Sequence, residues 1–380
     1  MVTTRARSKL DNTPKLYKLP PELWDHIAKL CDRYSLYNLS LASKHCREFL
    51  LETRFRRTRI FNIRSLYLFS SQRRFKDSPD VRQYIRHLTL KVRPKPAYTT
   101  LPSTIINVLT PLRQLQSLSF DFSGIDRAGC QKLCQLITDS PRWEISYLAA
   151  SGRVGLVSTA LGHCIPGILE ELYINFGITS AAFAQAAALH PGLKKLRVSI
   201  PERYSFADMS LPSISSAMLD RISDSFKDLQ WLVVHDKWPI PFIDDNEFDK
   251  LIGQSLVSLK RFQSLRRLSF TFSPSDLDLI HDSLASVPPF PTGQFMGNRE
   301  NIWFAKLIHY LSDEMPKLRH LCIVDANRDW SVWGTRTKDG ERMVVERFGM
   351  FSVEMMALRK HGIRVIGNRE TMRFPIGLLE

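Results

Sequence analysis

The chain has 380 residues, 44% of them apolar and 24% charged, the balance of an ordinary soluble protein with length for one large core or two domains. Its formal charge of +15 is unevenly spread: residues 1–100 hold 22 Lys/Arg against 8 Asp/Glu, which leaves 31 against 30 for the rest. A nucleic-acid-binding repeat protein would carry a basic stripe along its length, so the nearly neutral remainder argues against nucleic acid as a partner.

The N-terminal stretch Met1 to Lys9 has no apolar run after its charges, so residues 1–15 are expected to be a flexible basic tail and not a secretory signal. The next segment is dense in apolar residues at helical spacing: Leu19-Pro20-Pro21-Glu22-Leu23-Trp24-Asp25-His26-Ile27-Ala28-Lys29-Leu30, then Leu36-Tyr37-Asn38-Leu39-Ser40-Leu41-Ala42-Ser43-Lys44. Pro20 and Pro21 suit a helix entry, where the missing N–H would have no partner anyway. Glu22 in the first turn suits the helix dipole. Leu23, Ile27 and Leu30 follow at i, i+4 and i+7, one apolar stripe. A second short helix carries Leu36, Leu39 and Ala42, and a third carries Cys46, Phe49 and Leu50. So small a helical unit is finished either by a partner protein or, as a hairpin cap, by a larger domain of its own chain.

These residues resemble the F-box. The matching features are Leu-Pro-x-Glu-Leu at the start, Ile27 and Leu30 one and two turns on, and Leu-x-x-Leu-Ser-Leu-x-Ser-Lys in the second half. One position departs: the family often has Trp after Ser-Lys-x, and here the residue is Cys46. The resemblance implies a three-helix F-box over residues 16–60 that docks on a Skp-type adaptor and, through it, on a cullin. Leu19, Pro20, Leu23, Ile27, Leu30, Leu36, Leu39 and Leu41 would then be the adaptor contacts. The basic residues around the segment (Arg54, Arg56, Arg57 and Arg59, then Arg73, Arg74 and Lys76) fit either an acidic partner or a solvated face.

From residue 85 onward an apolar–x–x–Leu–x–apolar phrase recurs eight times, starting at Ile85, Leu115, Ile145 (a degenerate copy), Leu169, Leu193, Leu229, Leu265 and Leu318. Each phrase alternates like a strand with one buried face. Helix-like stretches lie between: Thr104–Leu112, Asp126–Ile137, Thr179–Leu189, Ser213–Phe226, Asn246–Lys260, Ile302–Met315 and Met343–Leu358. An Ile363–Ile366 strand would close the series. A strand–helix unit repeating at 24–36 residues cannot bury its own apolar side, so neighbours must stack. The predicted fold class is therefore α/β: the F-box, then over residues 61–380 an irregular solenoid that looks like a divergent leucine-rich repeat horseshoe, parallel strands on one face and helices on the other. The competing architecture is a doubly wound α/β enzyme, but no Gly-rich phosphate loop follows any strand. Insertions are expected near 273–300, where Pro288, Pro289 and Pro291 exclude regular structure, and near 325–342, a loop carrying Trp330 and Trp333.

Chemistry is not legible. There is no G-x-S-x-G, H-E-x-x-H, Walker or dinucleotide motif, so the chain is expected to be non-catalytic. Its six cysteines form no C-x-x-C pair, which points to reduced thiols in the cytosol or nucleus. Only His163 adjoins a cysteine, Cys164, and neighbours in sequence rarely share a metal, so no cofactor is expected. The longest uncharged run, Leu172 to Leu193, is broken by Asn175, Gly177, Pro191 and Gly192, so no membrane contact is expected either. What remains is a ligase substrate receptor, or a leucine-rich interaction scaffold with no ligase role. Alternation along the strands places His87, Thr89, Ser117, Ser119, Tyr173, Arg197, Trp231, Val233, His235, Arg267, Thr271 and His320 outward. Trp, Tyr and Arg dominate interface energies, so a patch of Tyr173, Arg197, Trp231, His235 and Arg267 is the candidate surface for an unknown protein substrate. If an insertion covers Trp231, that residue belongs to the core instead.

Overall fold

The computed structural model describes residues 19–71, 80–92, 100–174, 181–200, 216–236, 245–272, 299–325, 330–337, 340 and 343–349. The basic tail, most of the 273–300 insertion and the Ile363–Ile366 strand lie outside them. Two compact units divide at Leu118 and Ser119.

The first unit opens with three helices, α1 (Pro21–Leu30), α2 (Arg33–Ala42) and α3 (Lys44–Phe55). Side-chain caps fix where the later helices begin. The Asp32 carboxylate accepts from the Ser35 N–H at 2.7 Å and the Ser43 hydroxyl from the Cys46 N–H at 3.0 Å. Such a cap contributes about 1 kcal/mol. After the helices come β1 (Arg57–Ile60), α4 (Ile63–Ser70), a 3-10 turn at Val81–Tyr84, β2 (His87–Lys91) and α5 (Leu101–Leu109). β1 pairs with β2 in parallel, Arg57 opposite His87. This β1–α4 pair was not expected, because β1 buries only Ile60 of its four residues and shows no alternating apolar face.

The second unit takes β3 (Ser117–Asp121) from Ser119 and continues with α6 (Arg127–Thr138), β4 (Tyr147–Ser151), α7 (Val154–His163), β5 (Glu171–Ile174), α8 (Ala181–Leu189) and β6 (Lys195–Ile200). Next are α9 (Ser216–Ser225), β7 (Trp231–Asp236), α10 (Asp245–Lys260), β8 (Arg267–Phe272), α11 (Arg299–Glu314), β9 (His320–Asp325), β10 (Trp330–Arg336) and β11 (Met343–Gly349). The strands follow chain order in one sheet, parallel from β4 to β9. Register aligns Leu148, Leu172, Leu196, Leu232, Leu268 and Leu321, one per strand, all buried. The second Leu of each phrase thus forms a continuous ladder. Each strand is entered the same way: one carbonyl accepts two successive N–H groups of the next strand. Glu170 O serves Lys194 and Lys195, Lys194 O serves Gln230 and Trp231, and Gln230 O serves Arg266 and Arg267.

Three expectations fail at the C-terminal side and within the repeats. Residues 343–349 form β11, antiparallel to β10, and not the start of a helix; the remainder of that predicted helix lies outside the described residues. Trp330 and Trp333 belong to β10, antiparallel to β9, and not to a loop. Gly334 in β10 is buried where an added Cβ would strike the side chains of Ile308 and Met343, so glycine here lets α11 lie close on the sheet. The outward positions Val233 and Thr271 are buried, as are Ser269 and Cys322. Helix α7 was unexpected as well, for its two glycines and β-branched residues mask a helical pattern.

Burial pulls the imidazoles of His163 and His190 below their usual range, His163 despite the Pro141 carbonyl at 2.7 Å. Their folded values lie under the unfolded one, so the unfolded chain takes up more protons in acid. Urea-unfolding free energy is expected to fall as pH is lowered from about 7 to about 5, and replacing either histidine by Gln should flatten that slope. A slope unchanged in both variants would count against these assignments. Leu268→Ala, in the middle of the ladder, should cost about 2–5 kcal/mol in the same assay, whereas Val257→Ala on the exposed side of α10 should stay within about 0.5 kcal/mol.

Candidate functional site

In the first unit, the helices build their core from Trp24, Ala28, Leu36, Cys46 and Leu50, with Leu19, Cys31 and Leu39 packed against it. Trp24 stacks on Phe49 at 5.8 Å between ring centroids. Cys46 lies in the cluster with Trp24, so the one large aromatic of this core comes from α1 and not from the Cys46 position. A polar tie joins α2 to α3: the Arg54 guanidinium donates to the buried Ser40 hydroxyl at 2.8 Å and lies over the Tyr37 ring at 5.1 Å.

Helix α1 therefore turns Trp24 and Ala28 inward, and the stripe read from the sequence points elsewhere. Leu23 is 48% exposed, Leu30 is 78% exposed and Ile27 between them is half-buried. Leu41 is 53% exposed and Pro20 is exposed, whereas Leu36 is interior and Leu19 and Leu39 are half-buried against the core. The eight expected contact residues thus divide: Leu23, Leu30, Leu41 and Pro20 stand at the surface, and Leu36 does not. Tyr34, Tyr37 and Phe49 extend the exposed apolar area, and sequence periodicity had not singled out the two tyrosines.

In the second unit, register brings together four of the five residues of the expected patch. Lys195, Trp231, Arg267 and His320 occupy one row across β6 to β9, with Glu171 at its β5 end. Lys195 Nζ and Arg267 Cζ each lie 4.2 Å from the Trp231 ring centroid. Lys195 also pairs with Glu171 at 2.6 Å. One register step along, Arg197 lies 4.3 Å over the Tyr173 ring. Contacts of this kind contribute about 0.5–1 kcal/mol each at exposed sites. His235 does not join them: it sits four residues beyond Trp231 in β7, opposite Ser199, about 13 Å along the strand. Lys195 and Glu171 were missed, although both occupy the position that Trp231 holds in its own phrase.

His320 ends the row. Burial, with Arg267 and Arg319 beside it, drives its imidazole down to about 4, so it is neutral near pH 7. Trp231 itself is half-buried, neither free nor interior. At the register step of Tyr173 and Arg197, the residues Val233, Ser269 and Cys322 are buried. No group of three His, Cys, Asp or Glu side chains suited to a metal occurs among the described residues.

The family model of the F-box domain matches residues 16–58. A search of the curated proteins finds no match. Among solved structures, a chain of the yeast Rad7–Elc1 complex is similar at 14% identity and a TM-score of 0.37, covering 72% of this chain and 66% of that one. The arginine decarboxylase of Paramecium bursaria Chlorella virus is similar at 9% identity and a TM-score of 0.21, covering 61% and 57%. This chain therefore spans just under two-thirds of the first structure and less of the second. The helices that keep an apolar outer face are the ones that the F-box domain match covers.

Proposed function

We propose that this chain is the substrate-recognition subunit of an SCF-type ubiquitin ligase, docking on a Skp-type adaptor through the F-box and, through the adaptor, on a cullin. One observation carries this reading. Of the ten exposed large apolar side chains among the described residues, six (Leu23, Leu30, Tyr34, Tyr37, Leu41 and Phe49) fall within the F-box segment. An apolar area of that density, on helices whose other side already has a core, fits a partner's surface. Such receptors supply proximity and no bond-making chemistry: the target is held near the transfer machinery at high effective concentration. Residues 61–380 are read as an irregular leucine-rich repeat solenoid, supported by the leucine ladder and the strand–helix alternation. Its outward row around Tyr173, Arg197, Trp231 and Arg267 is the proposed substrate face. The six free cysteines fit a reducing compartment, cytosol or nucleus.

The adaptor-contact residues can be separated from the core by mutation. Leu23→Asp combined with Leu30→Asp should lower affinity for purified Skp-type adaptor by about 2 kcal/mol or more, with unfolding free energy nearly unchanged because both side chains are exposed. Ile27→Asp should act in the same direction. Full adaptor binding by these variants, measured by calorimetry, would leave the segment as a cap on a leucine-rich scaffold.

A further inference from the structure

Adjoining that row at His320, the second unit has a groove of about 880 Å³ at the entry edge of β7 to β9 and the end of β10. Gln230, Arg266, Lys317, Arg319, His320 and Arg336 line it, and no carboxylate does so among the described residues. Backbone bonds fix three of these cations side by side: the Arg319 N–H donates to Arg266 O and the Arg336 N–H to Arg319 O, each at 2.8 Å. Neighbouring strands are about 4.8 Å apart, and like charges directly opposite one another at that spacing repel.

Elsewhere this unit matches its cations. Lys194 meets Glu170 at 2.5 Å, Lys260 meets Glu314 at 2.6 Å and Arg261 meets Asp220 at 2.6 Å. In the groove the pattern stops. Arg336 spends its donors on the carbonyls of Ser312 at 2.6 Å, Leu318 at 2.9 Å and Gly340 at 3.2 Å, closing the C-terminal end of α11. Arg266 and Arg319 are exposed, and neither has a carboxylate partner among the described residues. Residues 101–380 are nearly neutral in sum, so this row is a local segregation of charge and not the overflow of a basic domain. His320 beside it is held neutral first by burial and then by the charges of Arg267 and Arg319.

We propose that this groove binds an acidic peptide segment of the substrate, with carboxylates laid across Arg266 and Arg319 and Lys317 at the rim. Guanidinium forks match carboxylates in a bidentate way, and an anion there relieves the repulsion within the row. The arginine row spans about 10 Å, the reach of three or four extended residues. A nucleic acid would need many more phosphate contacts than the groove offers. This proposal deepens the receptor reading and rests on it for the ligand being a protein.

The test uses the full chain and a fluorescein-labelled peptide of roughly twelve residues, rich in Asp and Glu, followed by fluorescence anisotropy. Its Asn/Gln counterpart and a single-stranded RNA of equal length serve as competitors, and capture of purified Skp-type adaptor is measured on the same samples. Binding of the acidic peptide alone, weakened at least about tenfold by the exposed pair Arg266→Glu and Arg319→Glu, is the expected result. Lys317→Glu reports on the same groove should the double variant fold poorly. Equal binding of the neutral peptide, indifference to charge reversal, or tighter binding of the RNA would overturn the proposal. Peptide binding without adaptor capture would remove the receptor reading and leave the groove; adaptor capture without peptide binding would do the reverse.

Discussion

Strand register governs this molecule. Each parallel strand of the second unit is entered through one carbonyl that accepts two successive N–H groups from the next. That bond fixes phase, and phase decides everything on the two faces: a slip by one residue would turn the leucine ladder outward and the charged row inward. Because the phase never changes from β4 to β9, residues far apart in sequence become lateral neighbours. Lys195, Trp231 and Arg267 are separated by 36 residues each, yet they stack as one cation–ring–cation sandwich. The same phase sets Arg266, Arg319 and Arg336 in a row, where their repulsion is a cost the fold accepts.

The first unit obeys a different constraint. A helix in a small bundle has one stripe to bury, and α1 has two apolar sides. Trp24 and Ala28 serve the bundle; Leu23 and Leu30 serve nothing within it. Leaving large apolar side chains in water costs about 25 cal/mol per Å² relative to covering them. Natural sequences keep such an area where a partner covers it. In the proposed reading the F-box match over residues 16–58 makes that partner a Skp-type adaptor, and the exposed leucines mark the side of the helices it would meet.

Much of this was legible beforehand, for physical reasons. The Leu-x-x-Leu phrase reads as a strand because its period of two is enforced by a buried face at every copy. The stripe Leu23–Ile27–Leu30 was equally legible, but hydrophobic spacing alone cannot say whether a stripe faces its own core or a partner's. That answer needed Trp24, one residue away, to be seen inside. The stretch from Met343 misled because Val344, Val345 and Phe348 suit a helix stripe and a strand alike; pairing with β10 decided for the strand. The arginine row was hidden for a different reason: Arg266 and Arg319 fill the first variable place of their repeat phrases, Arg336 ends β10, and only backbone pairing joins the three.

The central claim is that the exposed side of α1 to α3 is one half of an interface whose other half is a Skp-type adaptor. Mixing the full chain with purified adaptor and measuring the mass of the eluting species by light scattering tests it directly. A single species with the summed mass of one chain and one adaptor is the predicted result. Two species that elute separately, even with adaptor in large excess, would contradict it.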